Sequence, residues 1–209
     1  IVADEANLNR LMSALNELKA ECIAVPPIDW SCLDRGHAIH FRCQHPDALG
    51  IRLDVMTKMR GCDDFEPLWD RRTTIEDTAG VSYELLGIED LVKSKKTQRD
   101  KDWPMLRRLV EAHYYQNGLE PTEARVRFWL RESRTPETLI HLAAEYSEIT
   151  QDIAAQRPLL VMALDGDRSA LAAELESERL VEMEADKNYW RPLIKELEAM
   201  RLAKRKRNT

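Results

Sequence analysis

The sequence predicts an α+β fold, with strands and helices to about residue 117 and an all-helical C-terminal extension over residues 118–209. Three observations carry this. An amphipathic pattern opens the chain, two alternating runs come next at residues 38–43 and 51–56, and from Gly118 onward proline-punctuated helical patterns replace them. Seven glycines in 209 residues are few, and with abundant Leu, Ala, Glu, Lys and Arg they favour helix.

From Asp4 to about Ala20, Leu8, Leu11, Met12, Leu15 and Leu18 recur at helical spacing, with Asp4 placed as N-cap. Cys22–Val25 reads as a short strand ended by Pro26-Pro27. In Ala38–Cys43, Ile39, Phe41 and Cys43 share one face, with His40 and Arg42 on the other. In Ile51–Met56, Ile51, Leu53 and Val55 point one way, Arg52 and Asp54 the other. The linker Gln44–Gly50 carries Pro46 and Gly50 and suits a hairpin. Paired, the two strands would put His40, Arg42, Arg52 and Asp54 on one polar face.

Met59–Asp64 reads as a loop and Phe65–Trp69 as a helical turn. Arg72–Glu76 and Val81–Leu86 read as strands joined through the Asp77-Thr-Ala-Gly80 turn. Ile88–Lys96 starts a helix, and Asp100 or Asp102 opens another, with Pro104 in its first turn, that runs to about Tyr115. Glu123–Glu132, Pro136–Gln156, Ser169–Glu184 and Asn188–Lys204 come after as helices, with a strand admitted only at Leu159–Met162. No internal repeat is visible.

With 44% hydrophobic and 33% charged residues the chain can bury a core. A net charge of −6 weighs against broad nucleic-acid binding, which depends on neutralising phosphates. The terminal run Lys204–Arg207, continuing to Asn208 and Thr209, reads as a frayed, solvated tail. The longest apolar run, Pro158–Leu164, is too short to span a bilayer, and no signal peptide is visible. Cys22, Cys32, Cys43 and Cys62 read as ordinary thiols of a reducing cytoplasm. Cys32, His37, His40 and Cys43 lie close enough to raise a zinc site, but on a strand His40 and Cys43 face opposite ways.

Asp54 is the sharpest chemical feature. An acid in mid-strand is poor strand chemistry. It reads either as a metal-binding carboxylate on a rigid strand or as a solvated residue paired to Arg42 or Arg52. The segment Leu91–Asp102 holds five cations and two acids between two helices, fit to contact phosphate or to complement a helix C-terminus. His40 on the polar strand face has the chemistry of a base or a ligand but, without a placed partner, reads as structural, while Trp103 and Trp129 read as core or interface anchors. There is no P-loop, dinucleotide fingerprint or Ser-His-Asp pattern.

Taken in order, these residues resemble the minimal bacterial nucleotidyltransferase-fold family, including members related to abortive-infection and toxin–antitoxin systems. In that family a Gly-Ser turn precedes a strand bearing Asp-x-Asp. Ile1-Val2-Ala3 is similar to the residues just after that pair, and Asn7-Leu-Asn-Arg-Leu-Met-Ser-Ala-Leu15 resembles the next helix. Arg52-Leu-Asp-Val-Met56 resembles the family's apolar-Asp-apolar strand, and Phe65-Glu-Pro-Leu-Trp-Asp-Arg-Arg72 its aromatic turn. Gly87-Ile-Glu-Asp-Leu-Val92 and Arg99-Asp-Lys-Asp102 are similar to its later motifs. The resemblance covers residues 1 to about 115.

It implies a nucleotidyltransferase-like mixed sheet with flanking helices, and magnesium-dependent transfer of a nucleoside monophosphate from a nucleoside triphosphate to an acceptor. Three carboxylates would hold two Mg²⁺ ions. Asp54 would be the catalytic, metal-binding third. The other two, with the Gly-Ser turn, are expected upstream of Ile1, so that residues 1–209 alone would be inactive. Lys95, Lys96 and Arg99 would bind nucleotide phosphates; counting back from Arg99 selects Lys95, with Lys93 and Lys96 close in register. The acceptor (protein, RNA or small molecule) stays open, as does a protein partner or homo-oligomer; no membrane is implied. Two other readings stand beside this one. One is a non-catalytic, antitoxin-type binding module. The other is an interaction protein using Leu171, Leu175, Leu180 and Met183 as a partner-facing stripe, against packing of that stripe onto the core.

Overall fold

The computed structural model describes residues 1–2 and 4–207. Ala3 of the opening motif, and Asn208 and Thr209 of the basic end, lie outside the described residues. The chain is α+β, about 60% helical, with small antiparallel sheets and a long C-terminal helix. It divides into two compact units: Ile1–Gly87 with the chain from Asn188 onward, and Ile88–Lys187.

In the first unit, α1 (Glu5–Glu17) starts where Asp4 accepts the Asn7 amide at 2.6 Å. That bond satisfies one of the first-turn donors a helix leaves open. α1 stops short of Ala20, because Lys19 takes a left-handed φ of 48° and closes it. The short strand expected at Cys22–Val25 is β1 (Glu21–Cys22). α2 (Trp30–Asp34), capped by Asp29, is an element that periodicity did not reveal.

β2 (Ile39–Arg42) and β3 (Arg52–Val55) form the expected hairpin, in register Ile39↔Val55, His40↔Asp54, Phe41↔Leu53 and Arg42↔Arg52. The order β1-β2-β3 is antiparallel throughout, so the mixed sheet expected is not seen among the described residues. The short link between β2 and β3 fixes that pair as antiparallel, since a parallel pair needs a long crossover. Leu15, Leu33, Ile39, Phe41 and Val55 make the core. Each fully buried side chain of this size contributes roughly 1.5–3 kcal/mol. α3 (Phe65–Asp70) precedes a separate antiparallel pair, β4 (Thr73–Glu76) and β5 (Ser82–Leu85), joined through Gly80 at φ 79°.

In the second unit, α4 (Ile88–Ser94), α5 (Asp102–Asn117) and α6 (Glu123–Glu132) match expectation. The helix expected over Pro136–Gln156 is two: α7 (Pro136–Glu145) and α8 (Ser147–Ala154). Tyr146 (φ −123°, ψ 53°) separates them: its amide closes α7 on Leu142, and its carbonyl opens α8 by accepting the Thr150 amide. Leu159–Met162 is not a strand but enters α9 (Leu160–Leu164). A short apolar run is ambiguous between the two, and Pro158 suits a helix start.

The two helices expected at the end are one, α10 (Arg168–Arg207). Ala185-Asp-Lys187 contains no breaker, and Pro192 removes only its own bond to the preceding turn. The run expected to fray is helical through Arg207. Trp103, Trp129, Leu106, Leu139, Leu160 and Leu171 lie in this unit's core. Leu171 and Leu175 are buried and Met183 packs on the core, whereas Leu180 is exposed.

Candidate functional site

Asp54 stands in the middle of β3, directly opposite His40 on β2. His40 Nδ1 lies 2.7 Å from Asp54 Oδ1, and Arg52 Nε donates to the same oxygen at 2.9 Å. A carboxylate only accepts, so the short contact assigns the proton to Nδ1 of His40. In the neutral ring this leaves Nε2 as an acceptor. Arg52 Nη2 is 3.2 Å from that same Nδ1. With both nitrogens bearing hydrogen, this is proximity rather than a bond. Burial pushes the Asp54 carboxyl up, but the hydrogen bonds and charges of His40 and Arg52 outweigh it and hold the group below the ordinary aspartate range. The three side chains share the polar sheet face expected from the alternation. Their solvent contact limits the pairs to about 0–1 kcal/mol each.

Asp54 also lines a cavity of about 390 Å³ in the first unit, with Ile1, Met56, Phe65, Trp69 and Arg72. The Phe65 and Trp69 rings stack at 5.6 Å, and the Arg72 guanidinium lies 4.1 Å from the Trp69 ring centre. Two more acids reach this cavity, each already paired: Asp63 with Arg71 at 2.6 Å, and Glu84 with Arg72 at 2.6 Å. At the end of β3, the Ile1 nitrogen donates to Met56 O at 2.9 Å.

Among the described residues, no group of three or more His, Cys, Asp or Glu side chains is placed to hold a metal ion. His37, buried, meets Glu196 Oε2 at 2.8 Å, and Arg35 reaches that oxygen at 3.0 Å. Cys32 and Cys43 are buried, Cys62 is half-buried and Cys22 is exposed. Asp54 therefore fits one ligand position for Mg²⁺ and no more.

Lys95, Lys96 and Arg99 belong to the second unit, Asp54 to the first. The three cations sit between α4 and α5 in a pinned segment. Trp103 Nε1 donates to Thr97 O at 2.9 Å, Thr97 Oγ1 donates to Asp102, and the Gln98 amide donates to Asp186 Oδ2 at 2.8 Å. Lys96 pairs with Glu132 at 2.8 Å and Arg99 with Asp102 at 2.6 Å. Lys95, half-buried, makes no side-chain hydrogen bond or close ion pair among the described residues, though its charge helps hold the Asp102 carboxyl down.

Sequence reasoning placed His40 and Asp54 on one face but did not join them. The signal was present: the two sit at matching offsets about the Gln44–Gly50 linker, and the hairpin register pairs them. It also missed a buried network in the second unit. Arg157 makes paired bonds to Glu178 at 2.8 and 3.0 Å and donates to Leu130 O and Ser133 O, while Arg134 reaches the same carboxylate at 2.5 Å. No local pattern marks such long-range contacts.

Comparison with family models, with curated proteins and with solved structures finds no match.

Proposed function

We propose that the chain is the body of a nucleotidyltransferase-like protein, moving a nucleoside monophosphate from a nucleoside triphosphate to an acceptor with Mg²⁺. The observation that carries the reading is the position of Asp54: mid-strand on β3, at the sheet edge, on a cavity wall that includes Ile1. Support also comes from the ordered motif series from Asn7 to Asp102, and from the bond between Ile1 and the end of β3. In a chain that continues ahead of Ile1, the preceding residues begin beside β3, where an Asp-x-Asp strand would bring two more carboxylates near Asp54.

In this reading Asp54 is the metal-binding carboxylate. Bound Mg²⁺ would neutralise triphosphate charge and activate the acceptor oxygen. Arg52 and His40 keep Asp54 ionised and aimed. Lys95, in the second unit, is offered separately as a cation for phosphate oxygens.

The test is thermal stabilisation of the protein, as the cell makes it, by a non-hydrolysable α,β-methylene nucleoside triphosphate. Magnesium with the analogue raises the melting temperature of wild type and leaves Asp54→Ala unmoved. An equal shift in the variant removes Asp54 from the site. The second reading, a binding module without catalysis, is favoured by one observation: Asp54 Oδ1 is already taken by Arg52 and His40. Binding without transfer of the α-phosphate would select it.

A further inference from the structure

The second unit has a cavity of its own, about 410 Å³, that the proposed function does not use. Its walls include Trp103, Arg107, Arg134, Pro136, Leu175 and Arg179. The arginines are unequal. Arg179 is fully engaged, with Asp100 at 2.8 Å and Glu176 at 2.5 Å, and so has no charge to spare for a ligand.

Arg134 is held with its side chain only 8% exposed, across the Trp103 ring at 5.2 Å, yet one of its nitrogens alone has a partner, Glu178. Its Nε is buried without any. Glu178 is moreover shared with Arg157. Arg107 uses Nε for Glu111 at 3.0 Å and Thr135 Oγ1 at 3.1 Å, and its two terminal nitrogens have no partner among the described residues. A buried guanidinium with unused donors is costly, and an oxyanion would relieve it.

The backbone adds to this. α7, ten residues long, begins at Pro136 on the cavity wall, and its N-cap Thr135 makes no capping bond. The Thr135 hydroxyl is committed to Glu111 and Arg107 instead. Pro136 has no N–H of its own to give, but it brings the positive end of the α7 dipole to the cavity wall. Trp103 and Leu175 supply apolar wall.

We propose that this cavity binds a small organic anion. Its oxyanion group sits between Arg107, Arg134 and the start of α7, and its apolar body against Trp103 and Leu175. A phosphate monoester and a carboxylate share this chemistry.

The experiment is calorimetric titration of the full protein at low ionic strength, where such contacts are least screened, with phenyl phosphate, benzoate and inorganic phosphate as probes. Phenyl phosphate or benzoate binds below millimolar, at least tenfold tighter than inorganic phosphate, and the tighter of the two names the head group. Arg107→Gln, at a half-exposed position, weakens it tenfold or more. Ala172→Phe, which fills the cavity from the exposed side of α10, does the same without touching an arginine. Absence of binding in wild type, equal affinity for inorganic phosphate, or unchanged affinity in both folded variants overturns the proposal.

Discussion

Across the β2–β3 pair, His40 Nδ1 and Asp54 Oδ1 face each other at 2.7 Å, on the one register that also places Arg52 beside them. The pairing keeps Asp54 charged. Removing the imidazole with His40→Phe should move the Asp54 carboxyl upward, toward the ordinary aspartate range. The lowered group stabilises the fold above its ordinary range, and that contribution is lost as pH falls through the depressed value. Carboxyl ¹³C titration by NMR of wild type and variant reads the shift; an unmoved titration would show that His40 does not hold Asp54.

Glu178 is the hinge of the second unit's ionic network. Burial pushes its carboxyl up, but hydrogen bonds and charge from Arg157, then Arg134 and Lys96, bring it below the usual glutamate range. The stabilisation it gives is complete above that ordinary range and disappears as acid titrates the lowered group. Glu178→Gln should cost roughly 3 kcal/mol, because two buried guanidinium groups lose their counter-charge. Urea unfolding at neutral pH measures the loss, and the variant should show a flatter acid limb than wild type.

His113 accepts the Trp129 indole N–H on Nδ1 at 2.9 Å, so its folded form is the neutral ring. Burial, then the charge of Arg125, lowers its pKa. The unfolded chain thus takes up the proton first, near about pH 6.5. Stability is full above that value and falls as pH drops through it toward the lowered folded value. His113→Gln, which keeps an acceptor and does not titrate, should remove part of the stability difference between pH 7.5 and 5.5. Paired urea melts at the two pH values provide the comparison.

Gly87 closes the first unit against α3. A Cβ placed there would stand 2.6 Å from the Arg71 carbonyl oxygen, a backbone atom that cannot turn away. Gly87→Ala should therefore destabilise by about 1–3 kcal/mol through overpacking. The φ angle is not left-handed here, so the effect belongs to the close approach alone. A melting temperature equal to wild type would contradict it.

Local periodicity made part of the fold legible in the sequence. Ile39-His-Phe-Arg42 and Arg52-Leu-Asp-Val55 alternate, and the hairpin forms with its polar and apolar faces correctly sorted. Asp4, with its side chain two bonds from the backbone, announced the start of α1. Breaks without a breaker were illegible: Tyr146 parts α7 from α8 through backbone angles that no residue type demands. A helix without a stop was equally so, since Asn188 and Pro192 look like a new start yet lie inside α10. The site was half legible. Asp54 stood out as an acid in a strand, whereas its bond to His40, and the ties of Lys96 to Glu132 and of Arg99 to Asp102, required the fold.

Under the proposed function, nucleoside monophosphate transfer runs through Asp54. The most direct measurement is transfer of label from α-³²P nucleoside triphosphates, with magnesium, by the protein as the cell makes it, using cellular RNA, cellular protein and small molecules as acceptors. Labelled acceptor is expected with wild type, and none with an Asp54→Ala variant that melts at the wild-type temperature. Equal labelling by that variant, or no labelled acceptor of any class with wild type, would contradict it.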